Sequence, residues 1–115
     1  MIDFACKRFD LGDVIRCSLD LTKTEFKIME YLLKQNDKYF TTQEISDRFG
    51  IGLSTAQKSI RRINEKHIVK RGQRNLNSGG YVFVYSINQK SILKEKILEI
   101  INNWTEKVED RIQEW

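Results

Sequence analysis

Thr41-Thr42-Gln43-Glu44-Ile45-Ser46-Asp47-Arg48-Phe49-Gly50-Ile51-Gly52-Leu53-Ser54-Thr55-Ala56-Gln57-Lys58-Ser59-Ile60-Arg61-Arg62-Ile63 is the stretch whose reading decides the fold. Thr41 to Glu44 and Ser54 to Gln57 each match the capping box, in which the side chain at N3 reaches back to the cap residue. Behind the first lie Ile45 and Phe49, and behind the second Ala56, Ile60 and Ile63, at spacings of three and four, so each box opens an apolar-periodic helix. The helices are predicted to run for about 8 and about 13 residues. Between them, Phe49-Gly50-Ile51-Gly52-Leu53 offers a glycine to end the first helix in the left-handed conformation before the next begins. Two helices joined this tightly form a helix-turn-helix.

Working outward, Thr22-Lys23-Thr24-Glu25 is a third capping-box signature, opening a helix of about 13 residues with Phe26, Met29, Leu32 and Leu33 on its apolar side. Downstream, Ile68 to Arg74 and Tyr81 to Ile87 read as two strands around the turn-forming loop Asn75-Leu76-Asn77-Ser78-Gly79-Gly80, hence a β-hairpin. Tyr81, Phe83, Tyr85 and Ile87 alternate with Val82, Val84 and Ser86 and are assigned to strand packing, not to base stacking. From Ser91 to Trp115 there is neither glycine nor proline, and Leu93, Ile97, Ile101, Trp104, Val108, Ile112 and Trp115 recur every three or four residues. One amphipathic helix of roughly 37 Å is expected, long enough for its apolar stripe to reach past the core and need a partner. The segment Phe4 to Cys17 (Phe9, Leu11, Val14, Ile15) is predicted to form a short helix against that terminal helix. The expected fold is mainly α with a small β-hairpin wing: a winged helix-turn-helix over 21–88, an N-terminal segment at 1–20 and a C-terminal dimerisation helix at 89–115.

The chain has 115 residues, 40% hydrophobic and 31% charged, the composition of a folded domain and not of a disordered chain. Its formal charge of +4 is unevenly placed. Residues 53–75 contain seven cations and one anion, net +6, while the rest of the chain is net −2. Such concentration is the electrostatic footprint expected for a polyanion. Two cysteines, Cys6 and Cys17, make no disulfide framework, and no apolar run approaches the ~20 residues of a membrane span. The expected location is cytoplasmic, with no membrane partner.

On a helical wheel Leu53, Ala56, Ile60 and Ile63 share the core-facing arc, and Ser54, Lys58, Arg61 and Glu65 the opposite one, with Thr55 and Arg62 beside it. Hydroxyls in the first turn and long cations further on are groups that meet phosphates and base edges. Ser54, Thr55, Gln57, Lys58, Arg61 and Arg62 are therefore the base-contact candidates; a solvated basic face is the bland alternative. The hairpin beside them makes Lys70, Arg71, Arg74, Asn75 and Asn77 backbone-contact candidates, with Thr42 at the start of the preceding helix. Leu93, Ile97, Ile101, Trp104, Val108, Ile112 and Trp115 form the candidate dimer seam, the two tryptophans having a ligand-pocket wall as a second reading. His67, the one histidine, is read as a turn residue, since no general-base partner is evident beside it. The cysteines are read as half-buried thiols, with redox or metal sensing as the sharper reading. No catalytic constellation, metal site or cofactor is expected.

The run Leu21 to Ile87 resembles winged-helix regulators of the MarR and TrmB type. The likeness lies in Leu-Thr-Lys-Thr-Glu-Phe for the first helix, Thr-Thr-Gln-Glu-Ile-Ser-Asp-Arg-Phe-Gly for the second, Leu-Ser-Thr-Ala-Gln-Lys-Ser-Ile-Arg-Arg-Ile for the third and Ile-Val-Lys-Arg for the wing. The resemblance implies a two-fold dimer held by terminal helices, with helix 54–66 in the major groove and the wing at the backbone. His67 departs from the glycine usual in that family between recognition helix and wing; histidine tolerates the left-handed conformation better than most residues. The function expected is sequence-specific binding of double-stranded DNA by a homodimeric transcriptional regulator, not an enzyme, with a small-molecule or redox effector left open. The rival is a protein-interaction adaptor within a transcription or replication assembly.

Overall fold

The computed structural model describes residues 2–115. In chain order the described elements are β1 (Ile2–Asp3), β2 (Arg8–Phe9), α1 (Leu11–Ser18), α2 (Lys23–Lys34), α3 (Thr42–Phe49), α4 (Leu53–Glu65), β3 (Val69–Asn75), β4 (Tyr81–Ile87) and α5 (Lys90–Glu114). This is a mainly helical winged helix-turn-helix with a long C-terminal helix. Its contacts fall into two units: Lys23–Asn88, and the chain before Lys23 taken with Gln89–Trp115.

In the Lys23–Asn88 unit the apolar stripes meet as their spacing predicts. Ile28 and Leu32 of α2, Ile45 of α3, Ile60 and Ile63 of α4 and Ile68 are almost wholly buried. Thr41 caps α3 with a complete capping box: its hydroxyl accepts from the Glu44 N–H at 3.1 Å, and its own N–H donates to Glu44 Oε1 at 3.2 Å. Gly50 closes α3 at φ 61, the left-handed conformation that L side chains adopt reluctantly. Ser46 Oγ then ties the turn by donating to the Ile51 carbonyl at 2.6 Å.

The second box behaves differently. Gly52, not Ser54, is the N-cap of α4, and it supplies no side-chain cap. Its carbonyl already accepts the Ala56 N–H at 3.0 Å, so the helix starts one residue before its serine and Ser54 lies in the first turn. Leu53 consequently stands at the mouth of the helix, 42% exposed, instead of in the core arc. At the far end His67 adopts φ 59. The His67 N–H donates to the Asn64 carbonyl and the Ile68 N–H to that of Ile63, a Schellman closure with histidine in the place glycine favours. Asn88 Nδ2 donates to the His67 carbonyl at 2.8 Å and steadies the turn into the wing.

The wing strands pair antiparallel from Val69↔Ile87 to Asn75↔Tyr81. Phe40 adds a bridge to the other edge of β4, exchanging both backbone hydrogen bonds with Tyr85. The packing expected of the β4 aromatics is only partly seen. Val84, Ser86 and Ile87 are buried, Phe83 and Tyr85 are half-buried and Tyr81 is exposed. Strand alternation allows one face to point at the helices, and α2 and α3 pack on β4 where Val84 and Ser86 go inward.

In the other unit, the N-terminal helix is shorter than expected. Ile2 to Phe9 form a small hairpin instead: β1 pairs with β2, the Phe4 N–H donates to the Lys7 carbonyl at 2.7 Å, and the Phe4 and Phe9 rings meet edge to face at 5.3 Å. α1 begins only after the extended residue Asp10, and it lies against α5. Both thiols are exposed, Cys6 in the hairpin turn and Cys17 on α1, where half-buried ones were expected. The stripe of α5 grades along its length: Leu93 is buried, Ile97 and Ile101 are half-buried, and Trp104, Val108, Ile112 and Trp115 are exposed. No helix among the described residues is long and apolar enough to cross a membrane.

Candidate nucleic-acid interface

α3, α4 and the wing enclose an open groove of about 850 Å³. Four of the side chains singled out from sequence line it together: Thr42 at the start of α3, Gln57 and Arg61 on α4, and Arg71 on β3. They reach one place because residues four apart on α4 share a face and because β3 leaves the C-terminal end of that helix to run back beside it. Asn64 joins them, and Ile60, Val82, Phe83 and Tyr85 supply apolar lining.

The remaining candidates are exposed but do not line this groove. Ser54, Thr55 and Lys58 stand on α4, Lys70 and Arg74 on β3, and Asn75 and Asn77 at the wing tip. Arg62 is held to the domain: its Nε lies 3.3 Å from Glu25 Oε2, a carboxylate of α2 whose side chain is 3% exposed. A buried carboxylate requires a charge or hydrogen-bond partner, so this arginine is anchored across α2 and α4. The Arg71 guanidinium lies 4.2 Å over the Phe83 ring. Phe83 is the diagonal neighbour of Arg71 across the β3–β4 ladder, where a long side chain reaches an aromatic face. Arg74 Nη1 lies 3.7 Å from Glu44 Oε1, linking the wing to the cap of α3.

Glu25, Glu44, Asn64 and Phe83 were not legible as parts of this surface. The two glutamates carried a sequence signal, as the N3 residues of capping boxes, but it spoke of helix starts and not of arginines far along the chain. Phe83 carried only a strand-packing signal. Chemically the surface offers hydrogen-bond donors and cations on a concave face with apolar walls. Among the described residues no group of three or more His, Cys, Asp or Glu side chains is placed to hold a metal ion. On α5, Trp104, Lys107, Val108, Arg111, Ile112 and Trp115 line a second, shallower and more apolar depression of about 470 Å³.

The chain is similar over its whole length to a possible transcriptional regulator from Methanosarcina mazei, with 38% identity, 96% of that chain covered and a TM-score of 0.91. An uncharacterized protein of Methanocaldococcus jannaschii is 26% identical over 111 residues, spanning 90% of this chain and 83% of the relative. A mutant MepR of S. aureus, solved bound to an oligodeoxyribonucleotide, shares the fold at 16% identity and a TM-score of 0.58, covering 86% of this chain and 71% of that one. The family model of the DnaD N-terminal domain matches residues 10–108, from just before α1 to most of the way along α5. With nearly the whole winged helix and its terminal helix inside that match, the chain belongs to the DnaD N-terminal domain family.

Proposed function

We propose that this protein is a transcriptional regulator of the MarR and TrmB type that binds double-stranded DNA sequence-specifically as a cytoplasmic homodimer. The observation that carries the reading is the convergence of Thr42, Gln57, Arg61 and Arg71 on one groove beside an exposed basic wing. Residues 21–88 are the DNA-binding domain, 89–115 the dimerisation helix and 1–20 its N-terminal support. Lys58, Lys70, Arg71 and Arg74 neutralise phosphates, while Ser54, Thr55, Gln57 and Arg61 meet base edges. Arg62, tied to Glu25, steadies α4 as it lies in the groove. The first turn of α4, which has no side-chain cap, leaves backbone N–H groups for a phosphate. The apolar stripe of α5 pairs with its copy and sets two recognition helices about 34 Å apart, one turn of B-DNA. The similarity to a possible transcriptional regulator and the nucleic-acid-bound state of MepR agree with this reading.

Selection of bound fragments from random duplex DNA at 0.1 M salt tests it. A near-palindromic consensus is expected, with affinity falling steeply as salt rises. Arg61→Ala should relax the consensus at one position per half-site and cost about 1–3 kcal/mol there. A monomer that enriches no sequence would favour the adaptor reading instead.

A further inference from the structure

Two arginines on this surface each face a glutamate, and the two pairs differ in what holds the glutamate. Glu25 is buried and Arg62 half-exposed, so moving Arg62 away would take the cation from a carboxylate that water barely reaches. Arg74 and Glu44 are 51% and 47% exposed, and the carboxylate can be left to solvent. Glu44 Oε1 meanwhile accepts the Thr41 N–H, which fixes the carboxylate by the cap of α3 whether or not the arginine is there.

We infer that Glu44 is a positioning residue that holds Arg74 as a phosphate would, so that DNA binding exchanges an internal carboxylate for a backbone phosphate at the wing. The inference rests on the DNA-binding reading above. Before binding, the pair keeps Arg74 directed at the cap of α3. On binding, the guanidinium moves to a phosphate oxygen and the bared carboxylate, still seated on the cap, takes up a cation from solution as the phosphate gives one up. The contact therefore adds orientation, while adding little to either affinity or salt dependence. Arg71, stacked on Phe83 and facing no carboxylate at ion-pair distance among the described residues, contributes its full charge.

The test is an anisotropy titration of a 30-base-pair duplex of mixed sequence by the full chain and by Glu44→Gln, Arg74→Gln and the double variant, across a salt series. Glutamine keeps the capping box, because its amide oxygen accepts the same N–H. Glu44→Gln should bind up to about fivefold more tightly at 0.1 M salt, the scale of one exposed ion pair. Its salt slope should steepen by up to about 0.9. Arg74→Gln should cost under about twofold in the parent chain and up to about fivefold in the Glu44→Gln background, a coupling that a structural role alone would not produce. Should Glu44→Gln melt early, Arg74→Gln in the parent still decides the matter, since it leaves the cap intact: a loss near tenfold overturns the inference. Unchanged affinity and slope in Glu44→Gln, or equal losses for Arg74→Gln in both backgrounds, overturn it as well. If the parent binds duplex and these couplings are missing, only this inference falls; if none of the four proteins binds duplex, the DNA-binding reading falls with it.

Discussion

Arg61 and Arg62 are neighbours in sequence with the same charge, yet their surroundings assign them different work. Arg61 projects into the groove, whereas Arg62 reaches back to a carboxylate on α2 that is 3% exposed. Arg62→Ala removes the cation facing that buried anion, and a loss of about 1–3 kcal/mol is expected, discounted from the cost of a fully buried pair because the arginine is itself 45% exposed. Glu25→Gln should cost less, because it leaves a half-exposed guanidinium that water can solvate. Urea titration of the two variants checks the order, and Glu25→Gln proving the more damaging would contradict it. The wheel placed Arg62 beside the base-contact face; the direction its long side chain takes from there depended on Glu25, which no local pattern pairs with it.

Among the elements, β4 departs furthest from its sequence pattern. Ser86 is fully buried, and its hydroxyl has no hydrogen-bond partner among the described residues. An unsatisfied buried hydroxyl opposes folding, so Ser86→Ala should stabilise the Lys23–Asn88 unit by about 1 kcal/mol, read as a rise in melting temperature of several degrees. A drop would mean that the hydroxyl has a solvent partner. The helix termini separate the legible from the illegible in the same way. Thr41 and Gly50 bound α3 as their chemistry dictates, since cap and left-handed closure need only the residues beside them. The start of α4 does not follow its serine, because the preceding turn fixes Gly52 in an extended conformation whose carbonyl already accepts the Ala56 N–H. Which of two adjacent starts prevails is settled by how the turn from α3 delivers the chain.

For the molecule as a whole, the exposed half of α5 matters most. Trp104, Val108, Ile112 and Trp115 are all exposed, Trp115 completely. Under the proposed homodimer these side chains are covered by the second copy, which predicts a dimer mass in sedimentation equilibrium. Trp104→Glu combined with Ile112→Glu should give a monomer, and a palindromic site should then be bound at least tenfold more weakly, because two half-sites are no longer held together. Helicity of residues 23–88 should survive, which circular dichroism would show. A double variant that remains dimeric would move the seam elsewhere.

Periodicity, caps and turn chemistry act between residues a few positions apart, and so the three central helices, the wing hairpin and the long terminal helix could be derived from the order of residues. The clustering of positive charge could be derived likewise, since it only requires counting. The opposing carboxylates, the stacking of Arg71 on Phe83, the third edge contributed by Phe40 and the depth of each β4 side chain could not. Each joins residues distant in the chain through directions and distances that exist only once the helices have packed, and a buried carboxylate chooses its arginine by proximity in space, not by spacing in sequence.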